Sequence, residues 1–223
     1  MPTVNVIVPI LVNTPEQIAM TIRCIKKARE SKITFELVIV ETVTDYFKDL
    51  ADIYIWEKEK TTATISINRA LRACNKDWVV LLTNDVIVDD GWLEALLECF
   101  KDKGCGVATL GSTQFNHQKK DVIEEGNWWS IVLFPKWIFE KVGYLDEEFK
   151  GVWDDTDLLM RIYKAGYKMY RNFNCIVEHP KDSHADNRQQ HMENYNHGQK
   201  LFYEKHKDYV PGSIVEVLFE RVK

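Results

Sequence analysis

The chain has 223 residues, 45% hydrophobic and 28% charged, with a formal net charge of −5, which suits a globular domain large enough to bury a real core. The acidic balance gives no footing for a nucleic-acid partner, and no apolar stretch approaches the roughly 20 residues of an integral membrane segment. The five cysteines (Cys24, Cys74, Cys99, Cys105 and Cys175) form no CxxC pair, so buried free thiols in a reducing compartment are expected. With no basic leader ahead of Val4, the expected location is cytoplasmic.

Residues 4–9 predict a first strand ended by Pro9. Thr14, Pro15 and Gln17 then supply an N-cap, a first-turn proline and a capping box. Ile18, Ile22 and Ile25 follow at helical spacing, predicting an amphipathic helix to about residue 30. Residues 35–40 read as a second buried strand, stopped by Glu41 and Thr42. Strand, helix and strand in this order make a βαβ unit, which builds parallel sheets. A short strand at 53–56 leads into a charged loop. Residues 63–74 are helical, with Ile67, Ala70, Leu71 and Cys74 on one face and Arg69 and Arg72 off it.

The run from Trp78 to Leu82 is continuously apolar, as in a strand buried on both faces. It stops at Thr83, Asn84 and Asp85, where open α/β sheets hold their ligands. Asp85 fits a loop cap or a cation ligand. Asp90 is expected to cap a helix whose Leu93, Leu96, Leu97 and Phe100 face the core and which ends near Gly104.

Beyond residue 105 the pattern changes to short strands at 107–110 and 131–134 among polar loops, with Trp128 and Trp129 beside Gly126. Asp154, Asp155 and Asp157 open a helix bearing Leu158, Leu159 and Ile162 and stopped by Gly166. Two short strands, 168–171 and 175–177, precede His179, and a last helical pattern runs from Arg188 to about residue 206. The tail past Tyr209 reads as a last strand or a contact in a homo-oligomer. No linker marks residue 105, so 1–105 and 106–223 are expected to be two halves of one domain.

Three acidic positions sit at element ends: Glu41, Asp85 and the Asp154–Asp155 pair. In a parallel sheet the first two share the carboxyl edge and can converge on one ligand. GxGxxG after the first strand and GxxxxGK[ST] are both absent, which argues against dinucleotide and P-loop binding. Adjacent carboxylates repel, which can leave one poised as a general base; the same acids also suit a helix N-terminus. Trp128, Trp129 and Trp153 are core residues or a sugar-stacking platform. His179 is a metal ligand or a surface histidine, and Asp182, His184 and His191 match no zinc spacing.

In order, Asn68-Arg69-Ala70, Val80 to Asp85, Asp90-Gly91-Trp92-Leu93, Val142 to Phe149, Trp153 to Leu158 and Lys164-Ala165-Gly166-Tyr167 resemble the family-2 glycosyltransferases of GT-A fold. The resemblance covers roughly residues 3 to 180. Its most specific part, Gly143 to Asp157 with Arg161, matches the family's "GxFDExF…EDxDLxxRxxxxGY" pattern nearly position by position.

The resemblance implies a Rossmann-like α/β/α sandwich, a mostly parallel sheet and a smaller acceptor-side half. It implies inverting transfer from a UDP-, GDP- or dTDP-sugar to a carbohydrate or other hydroxyl acceptor, assisted by a divalent cation, Mn or Mg. By position, Asp85 stands for the last acid of the family's DxD motif and His179 for its metal-binding histidine. Asp155 stands for the general base, with Asp154 before it. Pro9, Glu41, Arg69 and Asn84 fall among the nucleotide-sugar contacts, Glu41 toward the nucleobase. Trp129 falls in the segment that usually faces the acceptor, and Trp128 and Trp153 are the further acceptor-side candidates by their aromatic faces. The chain departs from the family at Thr83, which replaces the first acid of DxD, at Ile67, where an arginine is common, and at Glu41 and Asp154, which exchange Asp and Glu. A nucleotidyltransferase or a non-catalytic nucleotide-sugar-binding relative are the alternatives.

Overall fold

The computed structural model describes residues 2–126, 129–180 and 188–208. Its strands are β1 (Val4–Ile10), β2 (Glu36–Thr42), β3 (Ile53–Glu57), β4 (Trp78–Leu82), β5 (Cys105–Ser112), β6 (Ile123–Glu125), β7 (Ile131–Pro135) and β8 (Lys168–Val177). Its α-helices are α1 (Pro15–Arg29), α2 (Ala63–Ala73), α3 (Trp92–Glu98), α4 (Trp137–Val142), α5 (Asp154–Lys164) and α6 (Arg188–Lys205).

The eight strands form one sheet in the order β3-β2-β1-β4-β7-β5-β8-β6. β1 pairs parallel with β2 and β4, and β2 with β3. β7 lies antiparallel between β4 and β5, so β5 runs with β4; β8 is parallel to β5 and β6 is antiparallel to β8. Six strands therefore point one way, and the loops after them open on one edge.

Both faces of the sheet are covered, which explains the unbroken apolar runs. Along β2, Leu37 and Ile39 enter the cluster beneath α1 and α3, while Val38 and Val40 enter the cluster beneath α2, α4 and α5. β4 alternates likewise, with Val80 and Leu82 on the first face and Val79 and Leu81 on the second. Period-2 alternation between two buried faces is the signature of an α/β/α sandwich. All five cysteines are free and buried.

The capping box forms as its spacing implies: Thr14 Oγ1 accepts from Gln17 N, and Gln17 Oε1 accepts from Thr14 N. Other expectations are corrected. Asp90 does not cap α3; its N-cap is Gly91 at φ +76, and Asp90 pairs instead with Lys27. α3 ends at Glu98 and tightens into a 3-10 turn, short of Gly104. The two short strands predicted after Gly166 are one strand, β8, whose middle carries the buried Asn172. β1 continues one residue past Pro9, and β6 and α4 are additions too short to show a periodicity.

Candidate active site

The opened edge gathers chain ends that lie far apart in sequence. After β4, residues 83–85 turn away from the sheet. Thr83 donates through N and Oγ1 to the Ser130 carbonyl (3.2 and 3.1 Å), and Asn84 Nδ2 donates to Thr21 Oγ1 on α1 at 2.9 Å. Ile87 then exchanges a pair of 2.9 Å backbone hydrogen bonds with Glu178, just past β8. That bridge brings Asp85 to His179, with Oδ2 3.3 Å from Nε2 and both residues buried. The loop after β5 joins them, because the His179 amide donates to Thr113 Oγ1 at 3.0 Å.

The acid pair reaches the same edge through α2. That helix follows the carboxyl end of β3, and Thr64 in its first turn donates from Oγ1 to Asp154 Oδ2 at 2.7 Å. Burial, reinforced by the Asp155 carboxylate beside it, lifts the Asp154 carboxyl to about 6. Burial also raises Asp155, against the opposing pull of the Thr156 N–H and hydroxyl, which both donate to its Oδ1 (2.7 and 3.2 Å). A helix N-terminus ordinarily lowers a carboxyl; here desolvation wins, so these two acids do more than cap a helix.

Trp153 precedes them as the N-cap of α5, at φ +74. A bulky residue in that region costs about 1–3 kcal/mol and persists only where its surroundings force it. The residue is 6% exposed, and its ring packs against Tyr195, Phe202 and Tyr203 of α6 at 5.5, 5.3 and 6.3 Å. Of the two expectations for Trp153, core residue or acceptor platform, this burial favours the first. Trp129 is half-buried, 5.8 Å from the Phe134 ring. Trp128, Asp182, His184 and the tail past 208 lie outside the described residues, as does the His191 side chain.

Glu41 turns its carboxylate toward the loop that follows β2. It is wholly buried, and it accepts from Thr44 Oγ1 (2.7 Å), Tyr46 N (2.8 Å), Phe47 N (3.0 Å) and Tyr54 Oη (2.9 Å). Four donors fill a carboxylate's acceptor sites, so Glu41 holds the loop after β2, in which Val43 takes φ +74. These partners give Glu41 a loop-holding role beside the nucleobase contact expected of it. Pro9, partly exposed, sits one residue before the end of β1, opposite Val40.

Arg69 donates from Nη1 to Glu57, the last residue of β3. Glu57 also accepts from Ser66 (2.5 Å), Thr42 (2.8 Å) and Thr61 (2.9 Å). Burial alone would raise this carboxyl, but the hydrogen bonds outweigh it and hold it below its ordinary value. The pair fixes a half-exposed guanidinium at the sheet edge.

Two residues of the family-like pattern turn out to be braces. Asn68 donates from Nδ2 to the Leu145 carbonyl (2.8 Å) and Glu147 Oε1 (2.9 Å) and accepts from Leu145 N (3.1 Å). Arg161 pairs with Asp157 and donates to the carbonyls of Val142, Gly143 and Tyr144, closing the end of α4. Sequence reading gave no role to Thr64, because nothing local marks a partner 90 positions along the chain, nor to Glu57, which fell at the start of a charged loop. Among the described residues, no group of three or more His, Cys, Asp or Glu gathers as a metal cage.

Sheet order, carboxyl-edge site and buried acid pair define the class as a GT-A-like α/β protein. The model of the family described as "Glycosyl transferase family 2" matches residues 6–149, and the chain belongs to that family. Among solved structures, it is similar to the mannosyltransferase PcManGT from Pyrobaculum calidifontis, determined in complex with GDP-Man and Mn2+. The TM-score is 0.65 and the identity 17%, over 82% of this chain and 58% of the mannosyltransferase, a likeness of fold. No curated protein sequence matches significantly.

Proposed function

We propose that the chain transfers a sugar from a nucleotide diphosphate sugar to an acceptor hydroxyl, inverting the anomeric centre, with Asp155 as general base. The observation that carries this reading is the acid turn: two adjacent carboxyls, both raised by burial, tied by Thr64 to the edge that bears Asp85 and His179. A base works best when its pKa approaches the working pH. Asp155 accepts the proton of the acceptor hydroxyl as that oxygen attacks the anomeric carbon, and the bond to the diphosphate breaks on the opposite side. One displacement inverts the centre. Asp154, held by Thr64, keeps the turn in register.

The residues fit a divalent cation. Asp85 and His179 offer a carboxylate oxygen and an imidazole nitrogen 3.3 Å apart. Two protein ligands suit a cation that takes its other ligands from phosphate oxygens and water, and a mixed O/N pair favours Mn over Mg. When bound, the cation would neutralise charge on the departing diphosphate. Arg69, steadied by Glu57, adds a positive charge for the same group. Asn84, fixed to α1, shapes the turn that aims Asp85. Trp129 remains the acceptor-side aromatic, with Trp128 beside it in sequence.

No described helix is long and apolar enough to cross a membrane, and five buried thiols support a reducing, cytoplasmic setting. GDP-mannose and Mn2+, bound by the similar mannosyltransferase, are the first donor and metal to try. Thermal shift of the full chain with GDP-mannose, UDP-glucose, UDP-N-acetylglucosamine and dTDP-glucose, each with and without Mn2+, tests the reading. One nucleotide sugar should raise Tm by several degrees with Mn2+ and far less without it, and Asp85→Asn should remove the gain. Absence of a shift with every donor would contradict the proposal.

A further inference from the structure

α6 lies beyond residue 149, where the family match ends, and among the described residues it packs against the loop that carries the acid pair and against α5. Its buried Phe202 joins Phe149, Trp153 and Met160 in a cluster separate from those on the two faces of the sheet. The approach is close: a Cβ on Gly198 would fall 2.5 Å from the Val152 carbonyl oxygen and 3.1 Å from the Trp153 side chain. Glycine alone permits that crossing, and the crossing covers the one backbone turn, Trp153 at φ +74, that immediately precedes Asp154 and Asp155. An unfavourable turn holds only where neighbours over-determine it.

The same helix grips the loop on either side of the turn. Lys205 pairs with Asp146 and Glu148, and His197 Nε2 lies 3.0 Å from the Glu148 carbonyl oxygen. Just past α6, His206 is buried between Lys164 and Asp157. The Lys164 ammonium can only donate, so His206 Nδ1, 3.2 Å away, accepts; its proton sits on Nε2 and is donated to Asp157 Oδ1 at 2.9 Å. Asp157 closes the clamp by donating its backbone N–H to the Trp153 carbonyl at 2.9 Å.

We propose that α6 is the positioning element of the acid pair, with Gly198 and His206 fixing the 153–157 backbone and so the aim of Asp155. Both are positioning residues, acting through the turn that they contact. The proposal rests on the reading of Asp155 as the base.

Hydrogen exchange and steady-state kinetics on the full chain test it, using Gly198→Ala, His206→Leu, His206→Gln and, as a control on the exposed face of α6, Lys200→Ala. Gly198→Ala and His206→Leu should speed exchange in a peptide spanning 150–158 by about tenfold or more while β1 and β4 stay protected. His206→Gln, whose amide nitrogen can take the Nε2 position, should restore protection, and Lys200→Ala should not alter it. With Mn2+ and whichever of the four nucleotide sugars wild type turns over, the first two variants should lose kcat on the order of 10²-fold at unchanged donor KM. Unchanged exchange at 150–158, or a loss carried by KM, would overturn the proposal. Turnover of no donor by wild type would sink the reading of Asp155 instead, and the exchange data would still decide whether α6 fixes the turn. If Gly198→Ala fails to fold, the two His206 variants decide.

Discussion

Thr64 and Asp154 stand 90 positions apart in sequence and meet hydroxyl to carboxylate at 2.7 Å. This contact joins the start of α2, on the sheet edge, to the start of α5, where the raised acids sit. It converts two unrelated element ends into one site, and it gives Asp154 a donor without neutralising its charge. The hydroxyl pulls the Asp154 carboxyl down, but burial and the neighbouring Asp155 carboxylate outweigh it and leave it raised.

The sign of that shift fixes a pH dependence of stability. Asp154 titrates near 6 when folded against 3.8 as its ordinary value, so the folded chain binds this proton more tightly than the unfolded one. Stability from this group is fully present below the unfolded value and is lost as pH rises through the folded value. Above it, the buried charge costs on the order of 1–3 kcal/mol. Asp154→Asn, whose side-chain oxygen still accepts from Thr64, should therefore outlast wild type in urea at about pH 8. The advantage should vanish near pH 4. Equal midpoints at both pH values would show that Asp154 carries no such penalty.

Glu57 is the opposite case. Its carboxyl is held low by Arg69 and three hydroxyls, so its stabilisation is present above the unfolded value and fades as acid protonates it. Glu57→Gln turns one acceptor oxygen into a donor facing other donors. The expected loss is on the order of 2–4 kcal/mol, read as a lower Tm at neutral pH. A Tm within experimental error of wild type would mean that the cluster relaxes without the charge.

The sheet was legible because each central strand is buried on both faces, leaving continuous runs such as residues 78–82, and because the helices between them carry clean apolar stripes. β8 was misread because Asn172 interrupts its apolar character; that side chain is paid for by a 2.9 Å hydrogen bond to the Ala95 carbonyl across the core. Asp90 looked like a cap because its residue type fits, but Gly91 takes the left-handed conformation and starts α3 one residue later. At the site, carboxylates at strand ends announced themselves, while their partners did not. Glu41 and Asp85 look alike in sequence; one is saturated by its own loop and the other faces a histidine 94 residues downstream. Trp153 resembled a sugar platform because nothing in the weakly patterned α6 signals that it will cover that ring.

The most direct measurement is made on Asp155→Asn. Nucleoside-diphosphate release from the donor that wild type turns over should fall by several orders of magnitude, while calorimetric binding of that nucleotide sugar with Mn2+ stays within about threefold of wild type. Turnover that survives the substitution would contradict the assignment of Asp155 as the base. Lost binding would contradict it equally, making Asp155 a residue that holds the donor.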